Sequence, residues 1–290
     1  MDESRIFIVG AYGQLGKALQ AKYPQAQAVD RDTLDMTDQA MVEAYDWSNV
    51  DVILNAAAYT NVDGAETPEG RELAWKINAV GASYLTKAAN KHNLTLVHVS
   101  SDYVFDGTKN PHTEDENYAP LGVYAQAKAA GDIVVSTAAQ HYILRTSWVI
   151  GDGPNFVRTM MSLAEKNISP KVVADQVGRL TFTNTLVEAI DHLLQSKAAF
   201  GTYNVSNDGE PVHWADITRA IFQELGRDDL TVTNTTTAEY FASKPGVAPR
   251  PLQSTLDLSK IKATGLSLRD WKQDLHDYIQ AELAKPKETN

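Results

Sequence analysis

The sequence contains no cysteine. Disulfides, a thiolate nucleophile and cysteine-based metal sites are therefore excluded, and a cytoplasmic location is compatible and expected. No apolar run approaches the roughly 20 residues that cross a bilayer, so no membrane partner is expected. Met1-Asp-Glu-Ser-Arg5 leads straight into an apolar strand, without a signal-peptide pattern. Cations are in the minority: 26 Lys and Arg stand against 37 Asp and Glu, a formal net charge of −11. Nonspecific nucleic-acid binding needs a basic surface, so nucleic acid is not an expected partner; a local basic pocket for a phosphate is still compatible. Internal repeats and low-complexity segments are also absent. What is present is ordinary for a globular protein: 290 residues, 43 % hydrophobic and 22 % charged. That length is enough for one large or two small domains with a buried core.

The first half alternates strand and helix. Arg5–Val9 is a short β-type run. It enters Gly10-Ala-Tyr-Gly13-Gln14-Leu15-Gly16, and Lys17–Lys22 then reads as helix. Glycines in a strand-to-helix turn let backbone approach a pyrophosphate, whose charge rests on the helix N-terminus. The spacing is Gly-x-x-Gly-x-x-Gly, and the strand-to-helix context gives it weight. A second strand, Gln27–Val29, ends at Asp30-Arg31. An acid about twenty residues past the glycines is placed to bind a ribose 2′-hydroxyl; Arg31 is placed to accept a 2′-phosphate. NADH and NADPH both stay open. Thr37 or Asp38 is a plausible cap for the helix that follows. A third strand over Val50–Leu54 ends in small residues, Asn55-Ala-Ala-Ala58-Tyr59-Thr60. Ala65–Lys91 reads helical with an interruption near Asn78, and Leu94–Val99 is a fourth strand delivering Ser100-Ser101-Asp102. Asp106–Pro120 reads as a loop able to act as a lid. Tyr124–Ala139 is helix, and Tyr142–Arg145 a fifth strand. This alternation implies a parallel, doubly wound α/β sheet.

Tyr124-Ala-Gln-Ala-Lys128 puts a phenol and an amine one helical turn apart on one face. Tyr titrates near pH ~10 in water, and a cation one turn away favours the phenolate. Ser101 offers a hydrogen bond to the same oxygen site. Tyr-x-x-x-Lys alone is common on surface helices. Its weight comes from the cofactor loop and strand ends that precede it.

Beyond Gly151 the pattern loosens. Helices are expected over Phe156–Glu165, Asn184–Gln195, Val212–Gly226 and Leu268–Leu283, and strands over Lys171–Ala174 and Gly201–Val205. The division read from this is 1–150 for the dinucleotide-binding part. Residues 151–290 form a smaller mixed α/β part, mainly for substrate, with possible segments returning to the sheet. The tail 285–290 is expected to fray.

In this order the signals resemble the extended short-chain dehydrogenase/reductase superfamily. Finer matches are Ser-Ser-Asp-Tyr-Val-Phe-Asp-Gly at 100–107, Asn55-Ala-Ala-Ala-Tyr-Thr-Asn-Val-Asp63, Arg145-Thr-Ser-Trp148-Val, Asp175-Gln-Val-Gly178 and Arg250-Pro-Leu-Gln-Ser254. They resemble the dTDP-4-dehydrorhamnose reductase family. That resemblance implies a Rossmann-type sheet and reduction of a 4-keto nucleotide sugar with NADPH or NADH, in the synthesis of dTDP-L-rhamnose for cell-wall polysaccharide. It implies that Gly10, Gly13, Gln14, Leu15 and Gly16 hold the pyrophosphate, Asp30 the adenosine ribose, and Asp35 and Met36 the adenine. Ala58, Tyr59 and Thr60 would line the nicotinamide side. Tyr124 would donate the proton, and Lys128 would bind the nicotinamide ribose and tune Tyr124. Ser101, Asp102 and Trp148 would contact the sugar, with Val62 and Asp63 at its edge.

Three departures stand out. The family usually has Thr where Ser101 stands, which retains a hydroxyl. It usually has proline where Leu180 stands. Some members dimerise through a magnesium site using a glutamate on the first helix, where this chain has Ala18; no metal and a monomer or weak homodimer are therefore expected. A nucleotide-sugar dehydratase or epimerase is a second reading. A dehydratase would have Asp-Glu after the hydroxyl, and here Asp102 is followed by Tyr103. A third is a non-catalytic, NADP-binding regulatory subunit, since the beta subunit of methionine adenosyltransferase resembles this family.

Overall fold

Six short strands, most of them buried on both faces, pair in parallel into one sheet. Such strands read as continuous apolar runs because helices cover both sides. In chain order they are β1 (Ile6–Val9), β2 (Gln27–Val29), β3 (Val52–Asn55), β4 (Thr95–Ser101), β5 (His141–Thr146) and the strand Gly201–Asn204. This computed structural model describes residues 1–286; the tail expectation lies, past Pro286, outside the described residues. From one edge the order is Gly201–Asn204, β5, β4, β3, β1, β2. The direction of winding reverses between β1 and β3, so the crevice of this sheet opens there. The last strand comes from the second half of the chain, with Tyr203 opposite Leu144.

The helices α1 (Gln14–Lys22) and α7 (Thr183–Ser196) cover one face, with Leu15, Leu19, Leu186, Ile190 and Leu193 packed on Ile6, Ile8 and Leu144. The other face is covered by α2 (Gln39–Ala44) and α4 (Ala82–His92), through Val42, Leu85 and Ala89 against Phe7, Ile53 and Ile143. Asp38 caps α2 by accepting from the Ala40 and Met41 amides, one of the two caps expected. The interruption near Asn78 is a π-helical turn over Lys76–Gly81, between α3 (Pro68–Trp75) and α4. Its cause is visible. The Asn78 amide accepts from the Tyr59 N–H at 2.9 Å and donates to the Tyr59 carbonyl at 3.1 Å. Helix α5 (Val123–Val135) crosses at Gly131, where a Cβ would sit 2.2 Å from the Asn78 carbonyl oxygen.

A second hydrophobic cluster lies between α6 (Phe156–Glu165), α8 (Trp214–Glu224) and the helix Trp271–Leu283. Two expected helices begin later than their apolar pattern. Val212–His213 is taken by antiparallel pairing with Val177–Gly178, and Asp270 caps the final helix through the Lys272 amide. The expected lid at 106–120 is corrected. His112 is fully buried; its N–H donates to the Thr255 carbonyl at 2.8 Å and its carbonyl accepts from Asp257 at 2.8 Å. Ala119 is tied to the Val104 carbonyl, so the segment is fastened to the body rather than free to close.

Candidate active site

Parallel strands deliver their C-terminal ends to one edge, and this chain places Gly10, Asp30, Ala56–Ala58, Ser100–Ser101 and Thr146 along it. Gly10 has φ +86°, and a Cβ there would lie 2.6 Å from the Ala57 amide nitrogen. Only glycine fits a backbone crossing this close. Gly13 caps α1 without a side chain, so the first amides of that helix face the crevice. Gly16 has a different role. A Cβ there would sit 2.1 Å from the Gly10 carbonyl oxygen, so it is the packing glycine that lets α1 lie on the turn.

Two cavities share this edge. One, of about 270 Å³, is lined by Gly10, Gly13, Asp30, Arg31, Asp35, Met36 and Ala58. Leu73, Lys76 and Ile77 line it too; sequence reading missed them, and the interruption near Asn78 was the available signal. Asp30 stays ionised by accepting from Thr33, and Arg31 pairs with Asp35 at 3.2 Å. The other, of about 550 Å³, brings Gly13, Gln14, Leu15, Ala58 and Thr60 face to face with Tyr124 and Lys128. Gly153 and Pro154 also line it, unforeseen because nothing in their local pattern marks a ligand. Gln14 Oε1, Ser100 Oγ and Thr146 Oγ1 are buried without partners, and all three residues line this second cavity. Orphaned polar atoms beside an open helix start fit the diphosphate and ribose of a dinucleotide.

The start of α5 is held from outside. The Val123 amide donates to Glu66 Oε1 at 2.9 Å, which fixes the turn carrying Tyr124. Burial pushes the Tyr124 phenol up to about 12, with the Ser101 hydroxyl working the other way and Asp102 and Asp132 adding to the rise. Burial outweighs the lowering expected from Lys128, whose ammonium is held by the neighbouring strand. Lys128 Nζ donates to the Val99 carbonyl at 2.7 Å and lies 3.4 Å from His98 Nε2. Burial brings Lys128 itself down to about 8, against the attraction of Asp132. At neutral pH the pair is a protonated phenol beside a cation.

Ser101 and Asp102 are buried behind Tyr124. Ser101 Oγ donates to Asp102 Oδ1 at 3.1 Å and accepts from the Tyr103 amide at 3.1 Å. Burial raises the Asp102 carboxyl to about 6, opposed by hydrogen bonds from Ser254 and Ser101. Tyr103 sits edge-on to Tyr124, ring centroids 5.8 Å apart, and burial raises its phenol as well. Trp148 adopts φ +47° and stacks on Trp214 at 3.8 Å. A Cβ on Gly178 would lie 3.0 Å from this indole, which accounts for the glycine in Asp175-Gln-Val-Gly178. Asp63 accepts from Arg250 Nη2 at 2.7 Å and from the Ala248 amide at 3.1 Å, so it ties the 59–66 loop to the Arg250-Pro-Leu-Gln-Ser254 segment. Tyr59 is held by its backbone to Asn78. None of Tyr59, Val62, Asp63, Ser101, Asp102 and Trp148 lines either cavity.

A doubly wound sheet with glycines at its switch point and a Tyr-Lys pair on the opposite wall defines the class: an extended short-chain dehydrogenase/reductase. Within it, the chain belongs to the dTDP-4-dehydrorhamnose reductase family; the family model described as RmlD substrate binding domain matches residues 4–284. A dTDP-4-dehydrorhamnose reductase of Aggregatibacter actinomycetemcomitans is 38 % identical over 294 residues, covering 94 % of this chain and 97 % of that one. The crystal structure of a dTDP-4-dehydrorhamnose reductase ortholog from Clostridium acetobutylicum is 36 % identical, with a TM-score of 0.88 over 96 % of this chain and 99 % of the other. A Bacillus anthracis dTDP-4-dehydrorhamnose reductase solved in complex with NADP is 33 % identical, with a TM-score of 0.87 and the same coverage.

Proposed function

We propose that this protein reduces the 4-keto group of dTDP-4-dehydro-L-rhamnose to give dTDP-L-rhamnose, using NADPH or NADH. The observation that carries the reading is one cavity walled by the glycine turn and the start of α1 on one side and by Tyr124 and Lys128 on the other. Relatives bearing the reductase name over nearly the whole chain support the substrate class.

When bound, the reduced nicotinamide supplies hydride to the sugar C4. Tyr124 donates its proton to the oxygen that becomes an alkoxide. A phenol raised to about 12 holds that proton at neutral pH, the form reduction needs, and a positioned acid contributes about 10²–10⁴-fold. Lys128 offers its remaining N–H groups to the nicotinamide ribose. Gly10, Gly13, Gln14 and Leu15 hold the diphosphate, and Gly16 lets α1 approach it. Asp30, Arg31, Asp35 and Met36 would surround the adenosine, and Ala58 and Thr60, with Tyr59 behind them, would flank the nicotinamide. Ser101, Asp102 and Trp148 meet the sugar, with Val62 and Asp63 further out. Residues 1–150 hold the cofactor, and 151–290 mainly the substrate. The location in this reading is the cytoplasm, with the protein a monomer or weak homodimer. Among the described residues, no helix is long and apolar enough to cross a membrane.

The test is an assay with enzymatically prepared dTDP-4-keto-L-sugar and each reduced cofactor, following loss of nicotinamide absorbance and identifying the product. Oxidation of cofactor that depends on keto-sugar supports the reading; a redox-neutral product, or none, overturns it.

A further inference from the structure

His98 is buried on β4 between Asn55 on β3 and Lys128 on α5. Its two ring nitrogens face different partners, and the surrounding donors decide which one carries the proton. The Ala57 amide donates to Asn55 Oδ1 at 3.2 Å. A backbone N–H is a donor under every condition, so it fixes the Asn55 amide with its oxygen toward Ala57. Asn55 Nδ2 then faces His98 Nδ1 at 3.0 Å, and an NH₂ group can only donate there. Nδ1 must accept. Burial and the Lys128 charge hold His98 well below its ordinary range, so the ring is neutral and its single proton sits on Nε2. That N–H points at Lys128 Nζ, 3.4 Å away.

We infer that His98 is a positioning residue for Lys128: locked by Asn55 as the Nε2–H tautomer, it denies Lys128 a second acceptor beside the Val99 carbonyl and leaves its free N–H groups directed into the cofactor crevice. An ammonium has three N–H groups and no acceptor. One goes to the Val99 carbonyl at 2.7 Å. The His98 side offers a second donor, which repels. The remaining two hydrogens have no hydrogen-bond partner among the described residues, and Lys128 lines the crevice, where the proposed ribose hydroxyls lie. Burial brings Lys128 down to about 8, and an N–H facing it from His98 acts in the same direction. The other groups facing Lys128 are Asp132 and Tyr124 of its own helix; Asp132 is itself paired with Arg145 of β5 at 3.1 Å.

This inference rests on the proposed reading of Lys128 as a cofactor contact, and its tests need no sugar substrate. Long-range ¹H–¹⁵N correlation of labelled protein reads the tautomer directly. The expected result is a neutral Nε2–H ring from pH ~6 to ~9; an Nδ1–H ring or an imidazolium overturns the inference. Asn55→Asp offers an acceptor to Nδ1 and turns the tautomer over, so that Nε2 accepts from Lys128. His98→Gln offers Lys128 an acceptor without adding charge. Both variants are expected to weaken NADPH binding about three- to tenfold, the loss of about one hydrogen bond, by fluorescence titration. Both should also move the Lys128 ¹³Cε titration to higher pH. Lower thermal stability with NADPH affinity and Lys128 titration unmoved would make His98 a packing residue only and overturn the inference. Should either variant fail to fold, the tautomer in the parent protein decides. Failure of the sugar assay with intact NADPH binding would remove the substrate reading and leave this one standing.

Discussion

Asp102→Asn is expected to stabilise the protein at neutral pH while damaging its activity. Asp102 is 2 % exposed. Burial raises its carboxyl from an ordinary 3.8 to about 6. Between those two values the folded protein keeps a proton that the unfolded chain gives up. Asp102 therefore contributes stability that is fully present below about 3.8 and is lost as pH rises through about 6. Two units correspond to ~3 kcal/mol. Asparagine has nearly the same shape, accepts from Ser101 with its oxygen and never ionises. The variant should match the parent near pH ~4, gain on it as pH rises, and reach a constant advantage approaching ~3 kcal/mol above pH ~7. Urea unfolding followed by tryptophan fluorescence at stepped pH values measures this gap. A gap that does not change with pH, or a variant less stable than the parent at pH ~8, would refute the reasoning. Turnover should fall at the same time, because the proposed sugar contact loses its charge.

Tyr124→Phe should keep fold and NADPH affinity and lose about 10²–10⁴-fold in turnover; near-parental rates would remove Tyr124 as the proton donor. Gly10→Ala should cost the folded state at least ~1–3 kcal/mol, from positive φ and collision with the Ala57 backbone, and should abolish cofactor binding. Thermal melting and fluorescence titration check both effects, and unchanged NADPH affinity would contradict the close approach. Arg31→Ala and Lys76→Ala, at the two cations lining the cavity beside Asp30, should weaken NADPH binding by more than NADH binding. Equal losses for both cofactors would show that neither residue meets a 2′-phosphate.

Much of this architecture was legible because it depends on local pattern. Buried parallel strands announce themselves as unbroken apolar runs, and the glycine turn at Gly10–Gly16 needs residue types that little else explains. The spacing of Tyr124 and Lys128 needs only helical geometry. What local pattern could not carry is where one element meets another. Lys76 and Ile77 reach the cavity beside Asp30 because Asn78 unwinds its helix onto Tyr59, a long-range event. The 106–120 segment looks like free loop until His112 is seen buried against Thr255 and Asp257. That burial outweighs any lowering of the Tyr124 phenol is hidden for the same reason. Four-residue spacing places Lys128 beside Tyr124, but Val99 and His98, on a different strand, decide where its charge goes. Gly16 resembled a phosphate contact by its spacing, and the carbonyl it packs on comes from the turn folding back.

The most direct measurement of the central claim is isotope transfer. NADPH carrying deuterium at the transferable nicotinamide position is incubated with the protein and dTDP-4-dehydro-L-rhamnose, and the product is read by NMR. Reduction as proposed gives dTDP-L-rhamnose with one deuterium at the sugar C4 and an equal amount of oxidised cofactor. A product without deuterium at C4, or a sugar changed with no cofactor consumed, would contradict it.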